Sequence, residues 1–288
     1  MKFVFAFLWL VRFLPIPLIH LLAELLGTLA WLAARERRRV GMVNVGLCFP
    51  ELTLGQRRRL VRANFVQMLR LMLEYGICWY ASADKIRRLV TVKNLDYVTE
   101  LRDAGHDVII FYPHFTAFEI GCYRLNQDLP LVSVYSHQKN QELDAAIYRH
   151  RQRYDNVKIV SRQESLRSII KAMKAEHTPF LYLPDQDFGP RDSIFVKFFH
   201  TDAATIPGLS RIARLANARV VPAVARRVGF RFELEFYPAW DAFPSDDVVA
   251  DTRRMNAFLE ERIRECPEQY FWLHKRFKTR PAGEARFY

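Results

Sequence analysis

The sequence predicts an α/β fold: one domain with a mostly parallel central sheet flanked by helices, preceded by an N-terminal membrane helix. Three observations predict it. From Asp107 onward, short β-rich runs alternate with helical patterns, the order that builds a parallel sheet covered by helices. The first 34 residues are almost wholly apolar and end at the basic block "RERRR". No internal repeat, low-complexity tract or Gly/Ser linker divides the rest, so one domain on one anchor is the economical reading.

The elements come in order. "FVFAFLWLVRFLPIPLIHLLAELLGTLAWLAA" fills residues 3–34, and 13–34 alone would cross a hydrocarbon core of ~30 Å as a helix. Arg12, Pro15, Pro17 and His20 interrupt the run, which leaves an angled or interfacial helix open. A cleaved signal peptide fits poorly, because only Lys2 precedes the apolar stretch and the strong charge lies after it. The basic block at 35–39 places the downstream domain on the cytoplasmic side. Residues 1–34 are therefore read as the anchor and 35–288 as a cytoplasmic domain. Residues 52–82 carry apolar positions three and four apart (Leu60, Phe65, Met68, Leu69, Met72), which predicts one long amphipathic helix. Strands are predicted at "DVIIFYP", "LVSVYS", "NVKIVS", "PFLYLP", "RVVPAVARRV" and "RFELEFYPAW". Helices fit 139–153, 163–175, 208–217 and 246–265, with an antiparallel excursion of the sheet near its end.

Composition narrows the partners. There are 43 Lys+Arg against 31 Asp+Glu, a formal net charge of +12. That surplus favours phosphates, anionic lipid or acidic proteins. No zinc-finger or RNA-binding signature accompanies it, so nucleic acid is not an expected partner. The cysteines at 48, 78, 122 and 266 form no CxxC pair, which argues against a metal cluster and for reduced thiols.

Chemistry concentrates in "FYPHFTAFEIG". The strand "VIIFYP" delivers His114 to a strand end, where ligands gather in α/β sheets. Thr116 and Glu119 make a T-x-x-E pattern, so Glu119 can be read as half of a capping box. It can also be read as a partner for the imidazole, with the loop folding the ring onto the carboxylate. The carboxylate would then fix the tautomer and leave the other ring nitrogen as a general base.

With "HFTAFEIG", the stretches "YLPDQDFGPRDSIFVKFF", "DAATIPGLSRIARL", "VVPAVARR" and "EQYFWLHKRFKTRP" resemble, in that order, the late acyltransferases of lipid A biosynthesis. These belong to the lysophospholipid acyltransferase superfamily and its H-x4-D/E motif. The resemblance covers essentially the whole chain and implies a glycerolipid-acyltransferase-like fold. It also implies acyl-acyl carrier protein as donor, a lipid A precursor as acceptor, the inner membrane as location and no cofactor. His114 is implied as base and Glu119 as its acidic partner. In "YRHRQRYD" the implied catalytic arginine is Arg151, with Arg153 the near alternative, and Asp185 matches another important position. Glycerol-phosphate acyltransferases carry an E-G-T-type loop where this chain has "PDQDFGPR", which disfavours glycerol phosphate or a simple lysophospholipid as acceptor.

Other features remain open. Asp185 and Asp187 form a D-x-D pair, usable by a metal-dependent glycosyltransferase but equally by a turn whose aspartates pair with Arg191. The tail "HKRFKTRP" is either a solvated basic face or a holder of anionic headgroups or of a phosphorylated acceptor. Arg153, Asp187, Arg191, Lys275 and Arg276 are the candidate substrate-binding residues. A same-superfamily enzyme with another glycolipid acceptor, a glycosyltransferase and a non-catalytic lipid-binding protein are the competing functions.

Overall fold

The computed structural model describes residues 1–162 and 164–288. In chain order it runs α1 (Lys2–Val11), α2 (Ile16–Ala33), α3 (Arg35–Cys48), α4 (Leu54–Tyr80), α5 (Ala83–Leu89), β1 (Val90–Lys93), α6 (Asp96–Asp103) and β2 (Val108–Phe111). Then come α7 (Phe118–Leu125), β3 (Leu131–Tyr135), α8 (Gln141–Arg151), β4 (Val157–Ser161), α9 (Leu166–Lys174) and β5 (Phe180–Tyr182). The chain finishes with β6 (Ile194–Phe198), β7 (Thr201–Thr205), α10 (Gly208–Ala216), β8 (Arg219–Val228), β9 (Arg231–Phe236) and α11 (Val248–Glu265).

Seven strands form one sheet in the order β1-β9-β8-β2-β5-β3-β4. Every ladder in it is parallel except β8–β9, so the fold is α/β with a mostly parallel sheet, as the alternation predicts. Each predicted strand is present, and the antiparallel excursion is the β8–β9 hairpin. Sequence reading missed β1 and the separate β6–β7 hairpin. Of the helix predicted at 163–175, α9 covers Leu166–Lys174, and Gln163 lies outside the described residues.

Central β2 shows why the runs are continuously apolar. All four of its residues are buried, as a strand covered on both faces requires. Val108 and Ile110 join the core beneath α4 and α7, while Ile109 and Phe111 join the core beneath α9 and α10. This is the period-2 alternation of a strand acting on two cores at once. A third core gathers Val45, Phe65, Phe198, Trp272 and Phe277 under the C-terminal tail.

The apolar N-terminus does not stand apart from the domain. Helix α2 buries Ile16, Ile19, His20, Ala23 and Gly27, a three-and-four spacing that defines one face. That face lies along α4, and the pairing runs antiparallel. Gly27 meets Val66 so closely that an added Cβ would sit 2.7 Å from the Val66 Cα, and His20 reaches Glu74 eight residues further along α4. Arg62 of α4 bonds Glu24 at 2.5 Å and Thr28 at 3.0 Å across the same seam. The opposite face of α2, with Leu18, Leu21, Leu25, Leu29 and Leu32, is exposed. The basic block opens α3 rather than a linker, and Arg37 and Arg38 donate to the Leu273 and Trp31 carbonyls.

Candidate active site

Strands β2 and β5 are parallel neighbours with Ile109 opposite Phe180 and Phe111 opposite Tyr182, a fixed offset in numbering. Carried three residues past each strand end, that register puts His114 opposite Asp185. The two side chains meet there. The imidazole Nδ1 lies 2.7 Å from Asp185 Oδ1, and the His114 backbone N–H donates to Oδ2 at 3.1 Å. Asp185 is fully buried, and the His114 side chain is 17% exposed. Burial alone would push the Asp185 carboxyl up. The His114 ring charge and its two hydrogen bonds prevail and hold it below the ordinary carboxylate value. An ionised Asp185 accepts from Nδ1, so in the neutral imidazole the proton sits on Nδ1 and Nε2 is the ring's acceptor. Phe118 and Phe271 flank the ring at 5.3 and 5.7 Å between centroids. The Tyr270 hydroxyl lies 3.4 Å from Asp185 Oδ2 on its buried side.

In the structure Glu119 makes neither the cap nor the Nδ1 contact that the sequence offered it. Helix α7 starts at Phe118 with Ala117 at its N-cap and no side-chain cap, and the Thr116 hydroxyl accepts from Arg227 at 2.7 Å instead. No capping box forms. Nor does Glu119 hold the imidazole at Nδ1, because Asp185 occupies that position. The Glu119 carboxylate accepts from Arg151 at 2.7 Å and from the Tyr75 hydroxyl at 3.1 Å, and it is itself buried. Burial would lower the Arg151 guanidinium, but the Glu119 carboxylate beside it raises it, so Arg151 stays cationic. Burial first, then the Glu119 charge, keeps the Tyr75 phenol protonated and able to donate.

The packing of α7 on the sheet keeps these two pairs on one turn of chain. Gly121 sits where an added Cβ would come within 2.1 Å of the Tyr112 hydroxyl and 2.7 Å of the Ala225 Cβ. The Tyr112 hydroxyl donates to the Phe118 carbonyl at 2.9 Å, which ties the end of β2 to the first turn of α7.

The remaining candidates separate. Arg153 is not an equal of Arg151: it donates to the Cys78 and Ala81 carbonyls at the end of α4. Asp187 accepts from Gly189 N–H at 2.8 Å and from Thr279 N–H and hydroxyl at 2.8 and 2.9 Å. The two aspartates of D-x-D therefore face different partners, Asp185 the histidine and Asp187 the tail. Arg191 is exposed on the turn after Gly189. In the tail, Arg276 is 2% exposed and donates to the Ala204 carbonyl and the Thr205 hydroxyl, so it braces β7 from inside rather than presenting a basic surface. His274 is pushed down to about 4 by burial and by Arg276 and Lys278, and is neutral at pH 7. Lys275 pairs with Glu36 of α3 at 2.9 Å.

Sequence reasoning missed the Asp185 contact and Tyr75. The first was findable: His114 and Asp185 each stand three residues past the end of an apolar strand, and knowing that β2 and β5 are neighbours puts them together. Tyr75 lies on α4, 44 residues from Glu119, with no local signal to mark it.

A histidine paired with a buried carboxylate thus stands at the carboxyl edge of a parallel sheet, where ligands gather in α/β folds. The model of the bacterial lipid A biosynthesis acyltransferases matches residues 1–279. The lipid A biosynthesis lauroyltransferase of Escherichia coli (strain K12) is 34% identical over 96% of this chain and 90% of its own length. The palmitoleoyltransferase of the same organism is 30% identical over 98% and 92%, and its myristoyltransferase 31% identical over 91% and 82%. The chain belongs to the bacterial lipid A biosynthesis acyltransferase family, in agreement with the motifs, and it is an acyltransferase.

Proposed function

We propose that this protein transfers a fatty acyl chain from acyl-acyl carrier protein to the hydroxyl of a 3-hydroxyacyl chain on a lipid A precursor. The observation that carries this reading is the His114–Asp185 pair, which leaves Nε2 as a base. A hydroxyl is a poor nucleophile until a base takes its proton. Nε2 accepts that proton as the oxygen attacks the thioester carbonyl, and the imidazolium formed is stabilised by Asp185. The C–S bond then breaks, and the imidazolium returns the proton to the leaving thiolate. No acyl-enzyme is needed. Arg151, fixed by Glu119 and with 29% of its side chain exposed, is the cation for the developing oxyanion. The basic surplus suits an acidic carrier and a phosphorylated acceptor. The test is mass spectrometry of the product after mixing purified protein, acyl-acyl carrier protein and a precursor bearing free 3-hydroxyacyl chains. A gain of one acyl mass supports the reading, and no gain with any thioester donor overturns it.

The anchor is part of the same proposal. Helix α2 is long and apolar enough to cross a membrane by length and composition, but its buried face is clamped along α4. Crossing would carry Arg62 and Arg70 of α4, which lie alongside the α2 span, into the hydrocarbon, at high cost. We read α1 and α2 as lying in the interface of the cytoplasmic leaflet of the inner membrane, leucine face down, with the arginines of α3 toward anionic headgroups. Wild-type protein is expected to float with vesicles containing anionic lipid. The variant Leu21→Glu, Leu25→Glu, Leu29→Glu is expected to stay at the bottom of the gradient with unchanged circular dichroism. A triple variant that floats like wild type would place the attachment elsewhere.

A further inference from the structure

Beneath the loop that carries His114 lies a buried ion pair that acyl transfer by His114 and Arg151 does not use. Arg227, on β8, is 6% exposed, and Glu74, on α4, is 1% exposed. The guanidinium forks onto the carboxylate, with Nε to Oε1 at 2.9 Å and Nη2 to Oε2. Its other donors turn to the loop: Nη1 reaches the Thr116 hydroxyl at 2.7 Å and Nη2 the Thr116 carbonyl at 2.7 Å. Gln67 of α4 accepts from Nη1 at 3.2 Å. Gln269 completes the frame, its side chain bonding both the N–H and the carbonyl of Arg227 while its own carbonyl accepts from Thr116 N–H at 2.7 Å. Thr116 is thus held at its N–H by Gln269 and at its carbonyl and hydroxyl by Arg227, two residues far from it in sequence.

We propose that Arg227, braced by Glu74, is a positioning residue for acyl transfer, setting the loop that aims His114 at the acceptor hydroxyl and Arg151, through Glu119, at the carbonyl. Two features favour this over a purely structural pair. Two buried charges cost more to desolvate than an apolar pair of the same volume, which is often no less stable. And both terminal nitrogens of the guanidinium, besides bonding Glu74 and Gln67 on α4, grip a loop peptide two residues from the base and three from Glu119. The loop's other ties, His114 N–H to Asp185 and the bridge of Phe115 to Tyr270, leave the Thr116 carbonyl and hydroxyl to Arg227. A displacement of about 1 Å at the base is enough to cost roughly a hundredfold in rate.

The inference rests on the acyl-transfer reading, and the experiment keeps the two apart by including His114→Ala. The informative variant is Arg227→Met with Glu74→Gln, which removes both charges and leaves no carboxylate stranded. It is expected to melt near the wild-type temperature and to bind donor and acceptor with KM changed by less than about threefold, yet to lose roughly tenfold to a hundredfold in kcat. Arg227→Lys keeps the charge opposite Glu74 without the fork. It is expected to fold and to lose kcat in the same range, and it serves if the double variant does not fold. Wild-type kcat in either folded variant, with His114→Ala inactive, would make the pair structural and overturn the proposal. Wild-type kcat in His114→Ala would instead overturn the catalytic reading on which it rests.

Discussion

Replacing Asp185 by asparagine is expected to lower turnover by about 10⁴-fold, the size of loss seen when the carboxylate orienting a catalytic imidazole becomes an amide. Both oxygens of Asp185 accept from His114, one from the ring and one from the backbone N–H. An asparagine has one acceptor for two donors. If its oxygen stays on the backbone N–H, its NH2 faces Nδ1 and forces the ring proton to Nε2, the nitrogen that has to accept. If it turns over, NH2 meets the backbone N–H and the loop shifts. Either way the base is lost while the side-chain volume is kept, and the imidazolium formed during attack has no counter-charge. KM for donor and acceptor should change little, since nothing in this pair holds either substrate in the ground state. Steady-state kinetics in detergent, with circular dichroism on the same preparation, measures all three quantities. Turnover within tenfold of wild type in a folded Asp185→Asn protein would mean that something else holds the ring.

How much of this was legible in the sequence depends on the range over which each feature is specified. The central strands declared themselves because a strand covered on both faces has to be apolar at every position, as "VIIF" is. Strand β1 stayed hidden because it is four residues at the sheet edge, where Val90 and Val92 alternate with exposed Thr91 and Lys93 over too short a run to stand out. The β6–β7 hairpin was missed for a different reason: its connection is Phe199-His200, with Phe199 at φ 52°, and carries none of the Asn-Gly or Asp-Gly chemistry that advertises a tight turn. Thr116 and Glu119 matched a local capping pattern, but both side chains are claimed by distant residues, Arg227 and Arg151, that a three-residue window cannot see.

The same division runs through the site. His114 and Arg151 were visible as residue types in recognisable stretches, and the structure places Arg151 on Glu119 rather than Arg153. What the sequence could not supply was the pairing, because the motifs offer His114 several acidic residues, among them Glu119, Asp185 and Asp187, and only strand adjacency decides between them. Arg276 shows the converse. It sits in a run of basic residues that reads as a solvated face, yet Phe198 packs beneath its guanidinium at 5.0 Å and β7 takes its hydrogen bonds. Charge clustering in sequence says little about exposure where the backbone is irregular, as it is after Gln269.

His114→Ala is expected to lose about 10²–10⁴-fold in turnover, the usual worth of a positioned base, and the double variants show which carboxylate it works with. If Asp185 acts only through the imidazole, then Asp185→Asn added to His114→Ala should cost little more, because two residues acting as one unit do not contribute separately. Glu119 makes the contrast. Its carboxylate serves Arg151 and Tyr75, so Glu119→Gln should loosen the cation that meets the oxyanion and leave the base in place. Its loss should therefore multiply with that of His114→Ala instead of disappearing into it. The opposite pattern, Glu119 silent in the His114→Ala background and Asp185 multiplying, would restore the five-residue spacing as the working dyad and leave Asp185 as a brace for the loop. A folded His114→Ala protein with near-normal turnover would remove the base from the mechanism, and with it every role assigned through that ring.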